Sequence, residues 1–312
     1  MIISASRRTD IPAFYSEWFF NRLKEGYVLV RNPMNIHQVS KIILNPDIVD
    51  CIVFWTKNPK PMLQRLDELN NYCYYFQFTL NSYAKDIEPN VPSKDQEVIQ
   101  TFKTLSDKIG KKRVVWRYDP IFFNETYTVN YHIKYFKKLA ELLEGKFDHC
   151  VISFVDYYRK AATNFKAFNI SEPKEYNIDM IVKNFVNVAS EMGFEIKTCA
   201  EKFDLEQYGI KHGKCIDDEM ISKLTGMNLS IAKDKNQRGE CGCVESIEIG
   251  SYNTCIHGCK YCYANYSDKV VYANCNKYDP QSPILCSSIT KEDIITEREV
   301  RSLIDPQISF DI

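Results

Sequence analysis

The sequence predicts a mixed α/β protein whose parallel sheet forms a TIM-like β/α barrel or part of one. Short apolar segments alternate with amphipathic helical segments through most of the 312 residues, and this alternation is typical of a parallel sheet. No predicted strand is followed by the GxGxxG of a dinucleotide-binding fold, and the sequence contains no P-loop. Their absence favours a barrel over an open doubly wound sheet, with the chemistry on the loops that follow the strands.

Short apolar segments predict the strands of this sheet. Each is nearly continuous in apolar, β-branched or aromatic residues, as strands buried on both faces of a parallel sheet are. Residues 27–50 interrupt the rhythm and predict a small strand pair inserted ahead of the second barrel strand. The barrel strands are predicted at 2–6, 51–56, 73–79, 113–118, 149–155 and 194–198, with a later strand at 244–250.

Helical periodicity occupies the segments between these strands. Ser93 and Gln96 resemble a capping box at the start of the third helix. Four helices should end at a glycine, as a left-handed C-terminal cap requires; these glycines are Gly26, Gly110, Gly145 and Gly193. The helices are predicted at 14–25, 60–69, 94–109, 128–144 and 176–192.

Composition and charge are those of a globular protein with a sizeable core. The chain is 45% apolar and 26% charged, and its net charge of −1 gives no general attraction to nucleic acid or anionic lipid. No segment has the length and apolarity of a membrane span, and the first residues lack the layout of a signal peptide. We therefore expect a cytoplasmic protein with no membrane partner. We expect a single domain, 1–312, in which 1–200 supply the βα units and 201–312 hold a cysteine-rich segment, the last strand and a tail.

Cysteine is the unusual component, because most of the 12 cysteines lie between residues 199 and 262. In a chain without an export signal, this enrichment favours metal binding over disulfides. Cys255, Cys259 and Cys262 have the spacing C-x3-C-x2-C, with Tyr261 directly before the last cysteine. Three thiolates on a [4Fe–4S] cluster leave one iron without a protein ligand. In radical enzymes such an iron binds S-adenosylmethionine, whose reductive cleavage releases a 5′-deoxyadenosyl radical.

A zinc site is the alternative for this loop. Zinc favours four ligands in paired spacings, and His257 is too central in the loop to be an obvious fourth ligand. We therefore expect a [4Fe–4S] cluster on the three loop cysteines and S-adenosylmethionine as the second cofactor. The remaining cysteines of this region would supply a second [4Fe–4S] cluster or a structural zinc, with free thiols as the alternative; they are Cys199, Cys215, Cys241 and Cys243.

Several longer motifs carry a resemblance to known families. They are SASRRTDIPAFY, VFWTKNP, WRYDPI, KDKNQR and CGCVESIEIGSYNTCIHGCKYCYAN. Through them the chain resembles, over nearly its whole length, an uncharacterised bacterial family with a domain of unknown function. The C-terminal cysteines of that family are similar to the cluster loop of radical S-adenosylmethionine enzymes. The family resemblance supplies no substrate.

A more distant similarity is to the spore photoproduct lyase branch of radical enzymes. In that branch the cluster loop comes first and a Ser/Thr-Asp-Ile, a Thr-Lys, an Asn and a Pro-Ile strand end follow. Here Cys262-Tyr263-Ala264 comes last, after the corresponding motifs at 9–11, 56–58, 79–81 and 119–121. The similarity implies a circularly permuted barrel of the radical S-adenosylmethionine type, in which the strand before Cys255 lies beside the strand at 2–6.

Residues at the ends of the barrel strands are candidates to bind S-adenosylmethionine. Lys57 would pair with the methionine carboxylate, as the lyase-like Thr-Lys motif implies. Ser4, Arg8 and Asp10 lie at the end of the first strand, where they would hold the amino group and ribose hydroxyls or form an anion site; an ion pair between Arg8 and Asp10 is the alternative. Asn81 ends its strand as in the lyase branch. Arg117 with Asp119 would form a cofactor or substrate pair, or else an ion pair inside the barrel. The electron would come from a reductant such as flavodoxin or ferredoxin.

Two other classes of protein stay open at this point. An iron–sulfur electron carrier or sensor would need neither an S-adenosylmethionine site nor so many βα units. A barrel hydrolase stabilised by zinc would want histidine and carboxylate ligands at several strand ends, and the chain has only 5 histidines. The radical enzyme is the favoured interpretation, and its substrate, a small molecule or a nucleic acid, is not specified by the sequence.

Overall fold

The computed structural model describes residues 1–156, 162–171 and 173–305. In these residues the strands are β1 (Ile2–Ser4), β2 (Tyr27–Asn32), β3 (Asn35–Ile43), β4 (Cys51–Thr56), β5 (Tyr74–Thr79), β6 (Val114–Ile121), β7 (His149–Phe154), β8 (Glu195–Cys199), β9 (Lys211–Gly213), β10 (Ile247–Glu248) and β11 (Ile294–Glu297). The α-helices are α1 (Ile11–Phe14), α2 (Ser16–Glu25), α3 (Ile99–Ile109), α4 (Val129–Leu142), α5 (Ala162–Ala167), α6 (Glu175–Met192), α7 (Asp218–Thr225) and α8 (Asp268–Cys275).

Eight of these strands form one large sheet in the order β10-β1-β4-β5-β6-β7-β8-β9. Every neighbouring pair is parallel, so the predicted α/β class is confirmed. The sheet does not close into a barrel in the part of the chain that the structure describes. Its edge strands β9 and β10 have only 3 and 2 residues, and they do not pair with each other. The sequence predicted a TIM-like barrel or part of one, and the described residues form an open parallel sheet.

The last strand of the large sheet lies beside the first. β10 pairs with β1 in the register Ile3↔Ile247 and Ser4↔Glu248, while β4 pairs with the other side of β1. This confirms the predicted neighbourhood of the segment before Cys255 and the strand at 2–6. Since all strands are parallel, the loop after β10 and the loops after β1 and β4 emerge at the same edge of the sheet.

A second, three-stranded sheet has the order β11-β3-β2. Its antiparallel β2–β3 hairpin is the strand pair predicted within 27–50. The third strand, β11, pairs in parallel with β3 and was not predicted. All four of its residues are exposed, so it lacks the apolar run that marks a buried strand.

The helices follow their predictions closely, with local differences in type. The segment Lys60–Leu69 is a 3-10 helix rather than an α-helix, and a π-helical turn at Lys94–Val98 precedes α3. The side chain of Ser93 accepts a hydrogen bond from the Gln96 amide at 3.3 Å, as the capping motif predicts. Gly26 and Gly193 cap α2 and α6 in the left-handed conformation.

Strand side chains alternate between two apolar layers. One layer packs against helices, where the rings of Trp116, Phe136 and Phe185 stack with centroids 5.0 and 3.7 Å apart. The other layer is covered by segment 215–244, which includes the short helix α7. In that layer Ile2, Val53, Tyr75, Val115 and Val151 pack with Cys215, Cys241 and Cys243. The cysteine-rich segment thus lies on the face of the sheet opposite the main helical layer.

In the part of the chain described, we find no helix with the length and apolar character that crossing a bilayer requires.

Candidate functional site

A cavity of about 500 Å³ lies at the carboxyl ends of the large sheet, within the size range of ligand pockets. Residues of β6 and of the loops after β1 and β4 line it, among them Arg117, Asp10 and Lys57. The cysteines of both predicted sites also line it: Cys199, Cys215, Cys241, Cys243, Cys255, Cys259 and Cys262. The fold therefore brings together two groups of cysteines that the sequence analysis treated as separate.

The loop Cys255–Cys262 depends on one glycine. Gly258 has a φ of +69°, a backbone conformation that residues other than glycine rarely adopt. A Cβ there would lie 3.2 Å from Pro89 Cγ and 3.3 Å from Asn90 Nδ2. Asn90 in turn holds the loop, because its Nδ2 donates to the Ile256 carbonyl at 2.8 Å. This close packing fixes the backbone between the first two loop cysteines.

Backbone amides point at the loop sulfurs. The amide of Ala264 donates to Cys262 Sγ at 3.3 Å, and the amide of His257 donates to the Cys255 sulfur. Burial raises the pKa of the Cys255 and Cys262 thiols. Burial also raises the pKa of Cys259 to about 12, although the Lys57 ammonium acts in the opposite direction. Amide donors and a nearby cation are groups that stabilise sulfur once it carries negative charge.

His257 joins the cysteine loop to the start of the chain. Its Nε2 lies 2.9 Å from Asp10 Oδ2, and both side chains are buried. Asp10 accepts two further bonds, from the Lys57 amide at 2.8 Å and the Ala13 amide at 3.0 Å. Within the described residues, Nδ1 of His257 is buried without a hydrogen-bond partner. From the sequence His257 was not expected to bind metal and had no other predicted role. Its contact with Asp10, a residue that was predicted to belong to the site, now places it there.

Lys57 belongs to a buried group of charged residues close to Cys259 of the loop. Its Nζ donates to Glu88 Oε1 at 2.7 Å, and Lys94 Nζ lies 2.6 Å from Glu88 Oε2. The Tyr261 hydroxyl also donates to Glu88. Burial alone would raise the pKa of Glu88, but the two ammonium groups outweigh it and lower that pKa to about 2. One carboxylate between two ammonium groups leaves one net positive charge beside the loop cysteines.

Glu88 was missed in the sequence analysis. It lies in the irregular segment after β5, without a strand or helix period to mark it. Its position before Pro89 offers no motif signal either.

Arg117 is held inside the protein by several partners. Its guanidinium donates to Asp119 through Nε at 3.0 Å and through Nη2, which is the internal ion pair considered in the sequence analysis. Nη1 donates to Gln77 Oε1 at 3.2 Å and contacts Cys215 Sγ at 2.9 Å. Arg117 thus faces the cavity beside the second group of cysteines rather than beside the loop.

The structure does not bring three of the expected cofactor residues into the cavity wall. Ser4 donates to Glu248 Oε2 at 2.5 Å, across the β1–β10 pair. The guanidinium of Arg8 lies 5.0 Å from the centre of the Tyr252 ring. Asn81 exchanges hydrogen bonds with the Asp119 backbone at 2.8 and 2.9 Å, and its amide lies 3.3 Å from the Tyr261 hydroxyl.

The other four cysteines form a continuous chain of contacts. Cys199 Sγ lies 2.7 Å from Cys215 Sγ. Interactions with neighbouring thiols also shift the pKa values of Cys215 and Cys243. Cys243 Sγ also accepts from the amides of Cys215 and Ile216 at 3.3 and 3.4 Å. The four thiols are free.

No group of three or more His, Cys, Asp or Glu side chains among the described residues stands in an arrangement that would hold a metal ion. The ligands of a [4Fe–4S] cluster bind different iron atoms, so their sulfurs stand farther apart than the ligands of one ion. The [4Fe–4S] cluster expected from the spacing of the loop cysteines stays a prediction.

Comparison with known proteins gives a family without an activity. A protein-family model described as "Domain of unknown function (DUF1848)" matches residues 2–264. That range contains the strands of the large sheet, the cavity and both groups of cysteines. No curated protein matches the chain.

Proposed function

The chain belongs to the DUF1848 family, whose function is unknown, and on this premise we propose that it is a radical S-adenosylmethionine enzyme. The observation that carries the proposal is the position of Cys255, Cys259 and Cys262. The three thiols of one C-x3-C-x2-C loop line a cavity at the carboxyl ends of a parallel sheet, where α/β proteins place their chemistry.

The residues present suit a cluster with one open iron. The loop gives three sulfur donors, and amides of His257 and Ala264 already point at two of them. Hydrogen bonds to sulfur are among the groups that set the potential of iron–sulfur clusters. Glu88 lies close enough to raise the pKa of Cys259, but Lys57 and Lys94 already hold its carboxylate. The donor set of the loop is therefore sulfur alone.

Bound cluster and S-adenosylmethionine would together supply reductive cleavage of a carbon–sulfur bond and a 5′-deoxyadenosyl radical. The protein would hold the cluster and S-adenosylmethionine in place and shield them from solvent. Cys255, Cys259 and Cys262 would hold the cluster. The net positive charge of Lys57, Glu88 and Lys94 suits the methionine carboxylate. Asp10 and His257 keep the loop against β1, and the half-exposed ring of Tyr263, whose hydroxyl donates to the Arg7 carbonyl at 2.8 Å, lies on the solvent side of the loop.

We propose further that the fold is a circular permutation of the radical-enzyme barrel. The pairing of β10 with β1 supports it, since the strand that precedes the cysteine loop takes the place next to the strand that opens the chain. Residues 1–240 expressed alone should then be insoluble or lack fixed tertiary structure, because β1 loses β10 on one side and apolar surface is uncovered. A folded 1–240 fragment, seen by dispersed amide NMR signals, would argue for two independent domains.

The decisive experiment uses protein purified and reconstituted without oxygen. With dithionite as the reductant and S-adenosylmethionine added, we expect methionine and 5′-deoxyadenosine as products, and an EPR signal of the reduced cluster that changes when S-adenosylmethionine binds. Flavodoxin or ferredoxin should replace dithionite.

A variant with Cys255→Ala, Cys259→Ala and Cys262→Ala should lose this signal and both products. A matched control, Cys73→Ala with Cys275→Ala, removes two cysteines outside the cavity wall. This control should keep the EPR signal and both products. A cluster that is present but never cleaves S-adenosylmethionine would contradict the proposal and favour an electron carrier. Retention of cleavage by the triple variant would contradict the ligand assignment.

A further inference from the structure

Cys199 and Cys215 form a pair of thiols in the wall of the cavity. Their sulfurs lie 2.7 Å apart. The bond of a disulfide is about 2.05 Å long, so the two sulfurs would have to approach by only about 0.7 Å to form one. Both thiols are free, and both residues line the cavity. The proposed radical chemistry uses neither of them, and their arrangement suits reversible oxidation.

A close contact between two strands holds this pair together. Cys199 ends β8 and pairs in register with Gly213 of β9, and Cys215 follows Gly213 by two residues. A Cβ on Gly213 would lie 2.7 Å from the Thr198 carbonyl oxygen. Glycine within a strand often marks such a close approach of two backbones. Position 213 therefore requires glycine if β9 is to bring Cys215 up to the end of β8.

Several contacts fix Cys215 in place. Its carbonyl accepts a hydrogen bond from the Tyr75 hydroxyl at 2.6 Å, and its amide donates to Cys243 Sγ at 3.3 Å. Nη1 of Arg117 donates to Cys215 Sγ at 2.9 Å. The sulfur is thus held at the cavity next to a buried cation, which stabilises negative charge on sulfur.

The two sulfurs differ in how readily they carry that charge. The contact with Cys199 and the Arg117 guanidinium lower the pKa of Cys215, whereas Cys243 and burial raise it, to about 12 on balance. The contact with Cys215 and burial raise the pKa of Cys199 well above its ordinary value. Cys215 therefore becomes a thiolate, the reactive form, more readily than Cys199. Little thiolate is present at neutral pH, so oxidation is slow and needs sustained exposure to an oxidant.

We propose that Cys199 and Cys215 are a redox-active dithiol, which hydrogen peroxide entering through the cavity converts into a disulfide. The Cys215 thiolate attacks one peroxide oxygen. The S–O bond forms, the O–O bond breaks, and the hydroxide leaves as water with the proton that the thiol released. The Cys199 sulfur then loses its proton and attacks the sulfur of this sulfenic acid, so that the S–S bond forms, the S–O bond breaks and a second water leaves. The two thiols lose two electrons, and one peroxide is reduced to two waters.

The disulfide alters the cavity wall. It joins the end of β8 covalently to the segment that follows β9, and it replaces the thiol beside Arg117 by a sulfur that carries no proton. A small thiol reductant reverses the reaction by thiol–disulfide exchange. The reaction needs neither a cluster nor S-adenosylmethionine, so the inference does not rest on the proposed function.

The test maps disulfides in a variant that lacks the loop thiols. Cys255→Ala, Cys259→Ala and Cys262→Ala together remove the other sulfurs of the loop that peroxide would meet in the same cavity. Reduced protein is treated with hydrogen peroxide without air, its remaining thiols are blocked with N-ethylmaleimide, and its peptides are identified by mass spectrometry. We expect a Cys199–Cys215 cross-link and a loss of about two thiols per chain, both reversed by dithiothreitol.

Single substitutions in the same background separate the two roles. Cys199→Ser should stop the reaction at the Cys215 sulfenic acid, which dimedone traps. Cys215→Ser should give neither the cross-link nor a dimedone adduct on Cys199. The control pair Cys73→Ser and Cys275→Ser removes thiols outside the cavity wall and should keep the cross-link.

The same mapping of wild type covers the case in which the loop variant does not fold. Wild type purified without oxygen should carry both thiols free and should gain the cross-link when peroxide is added. The proposal is overturned if Cys199 and Cys215 are both alkylated after peroxide treatment, or if Cys215 is joined to Cys243 instead. It is also overturned by zinc or iron that stays in the loop variant and is lost with Cys215→Ser, since these thiols would then be metal ligands.

Discussion

Nε2 of His257 lies 2.9 Å from Oδ2 of Asp10, although 247 positions separate the two residues in the chain. Asp10 begins α1 by accepting from the Ala13 amide, and it also holds the amide of Lys57. One carboxylate therefore ties together the loop after β1, the loop after β4 and the cysteine loop after β10. These three loops form the part of the cavity in which we place S-adenosylmethionine.

His257→Ala should loosen the cysteine loop. Loss of one buried hydrogen bond to a carboxylate should lower the free energy of unfolding by about 1–3 kcal/mol, and iron bound after reconstitution should fall with it. Urea denaturation and iron analysis measure the two effects. His37→Ala is the control, because His37 is exposed and its contact with Glu292 is 3.8 Å long. Equal iron content in both variants would show that the Asp10 contact does not position the loop.

Lys57→Ala should weaken the binding of S-adenosylmethionine and spare the cluster. Glu88 keeps Lys94 and Tyr261 as partners, so the fold should survive, while the net positive charge beside the loop is lost. A charge-assisted hydrogen bond of about 1.5–3 kcal/mol corresponds to a loss of affinity of roughly 10- to 100-fold. Calorimetry with the reconstituted protein measures it.

The control for Lys57 is Lys60→Ala. Lys60 also pairs with a glutamate, Glu97, but its side chain is 59% exposed. It should bind S-adenosylmethionine as wild type does. Wild-type affinity in Lys57→Ala would remove Lys57 from the site, and loss of its iron would show that the residue supports the loop instead.

Gly258→Ala should damage the cysteine loop through its backbone. The left-handed φ and the short contact with Pro89 together should cost about 1–3 kcal/mol of stability. We expect a lower denaturation midpoint and weaker charge-transfer absorption from the reconstituted cluster. Gly239→Ala is the matched control, since no atom lies within 4 Å of its added Cβ. If the two variants behave alike, the loop tolerates a side chain at position 258 and the strain argument is wrong.

His132 should make the protein less stable in mild acid. Its Nε2 donates to the Phe122 carbonyl at 2.9 Å, so its Nδ1 accepts from the Tyr118 hydroxyl at 2.9 Å. Burial lowers the pKa of His132 from 6.5 to about 4. Between these values the unfolded chain binds a proton that the folded chain refuses, so stability falls as pH falls from 6.5 towards 4.

Denaturation at several pH values tests this expectation. The loss attributable to His132 should approach about 3 kcal/mol at the acid end of the window, and His132→Gln should reduce the slope. The slope should not vanish, because burial also lowers the pKa of His149 to about 3. A wild-type slope unchanged by His132→Gln would contradict the assignment.

The sequence predicted the parts of the fold that carry a hydrophobic period. The runs that became β4, β5 and β7 are buried along nearly their whole length, and such runs can be recognised without a structure. β9 was missed because Lys211–Gly213 is short and polar. It is a strand only because β8 offers it a free edge.

The candidate site, like the fold, contains residues that the sequence could reveal and residues that it could not. Spacing alone selected the cysteines of the loop, and those residues do line the cavity. Glu88 could not be found, since its role depends on Lys57 and Lys94 meeting it from different loops. Ser4 and Arg8 were selected because they lie near a strand end, but a strand end shows position along the chain and not the direction of a side chain. Ser4 points instead to Glu248.

The pairing of β10 with β1 also sets an order of events during synthesis. A ribosome that adds about 5–20 residues per second needs roughly 10–50 s to travel between two positions as distant as Asp10 and His257. Until then one side of β1 has no neighbour, and such an edge invites pairing with other chains. Iron delivered to the nascent chain would find no complete cysteine loop. On the proposed function, the cluster would therefore be bound only after the segment through Cys262 has been synthesised.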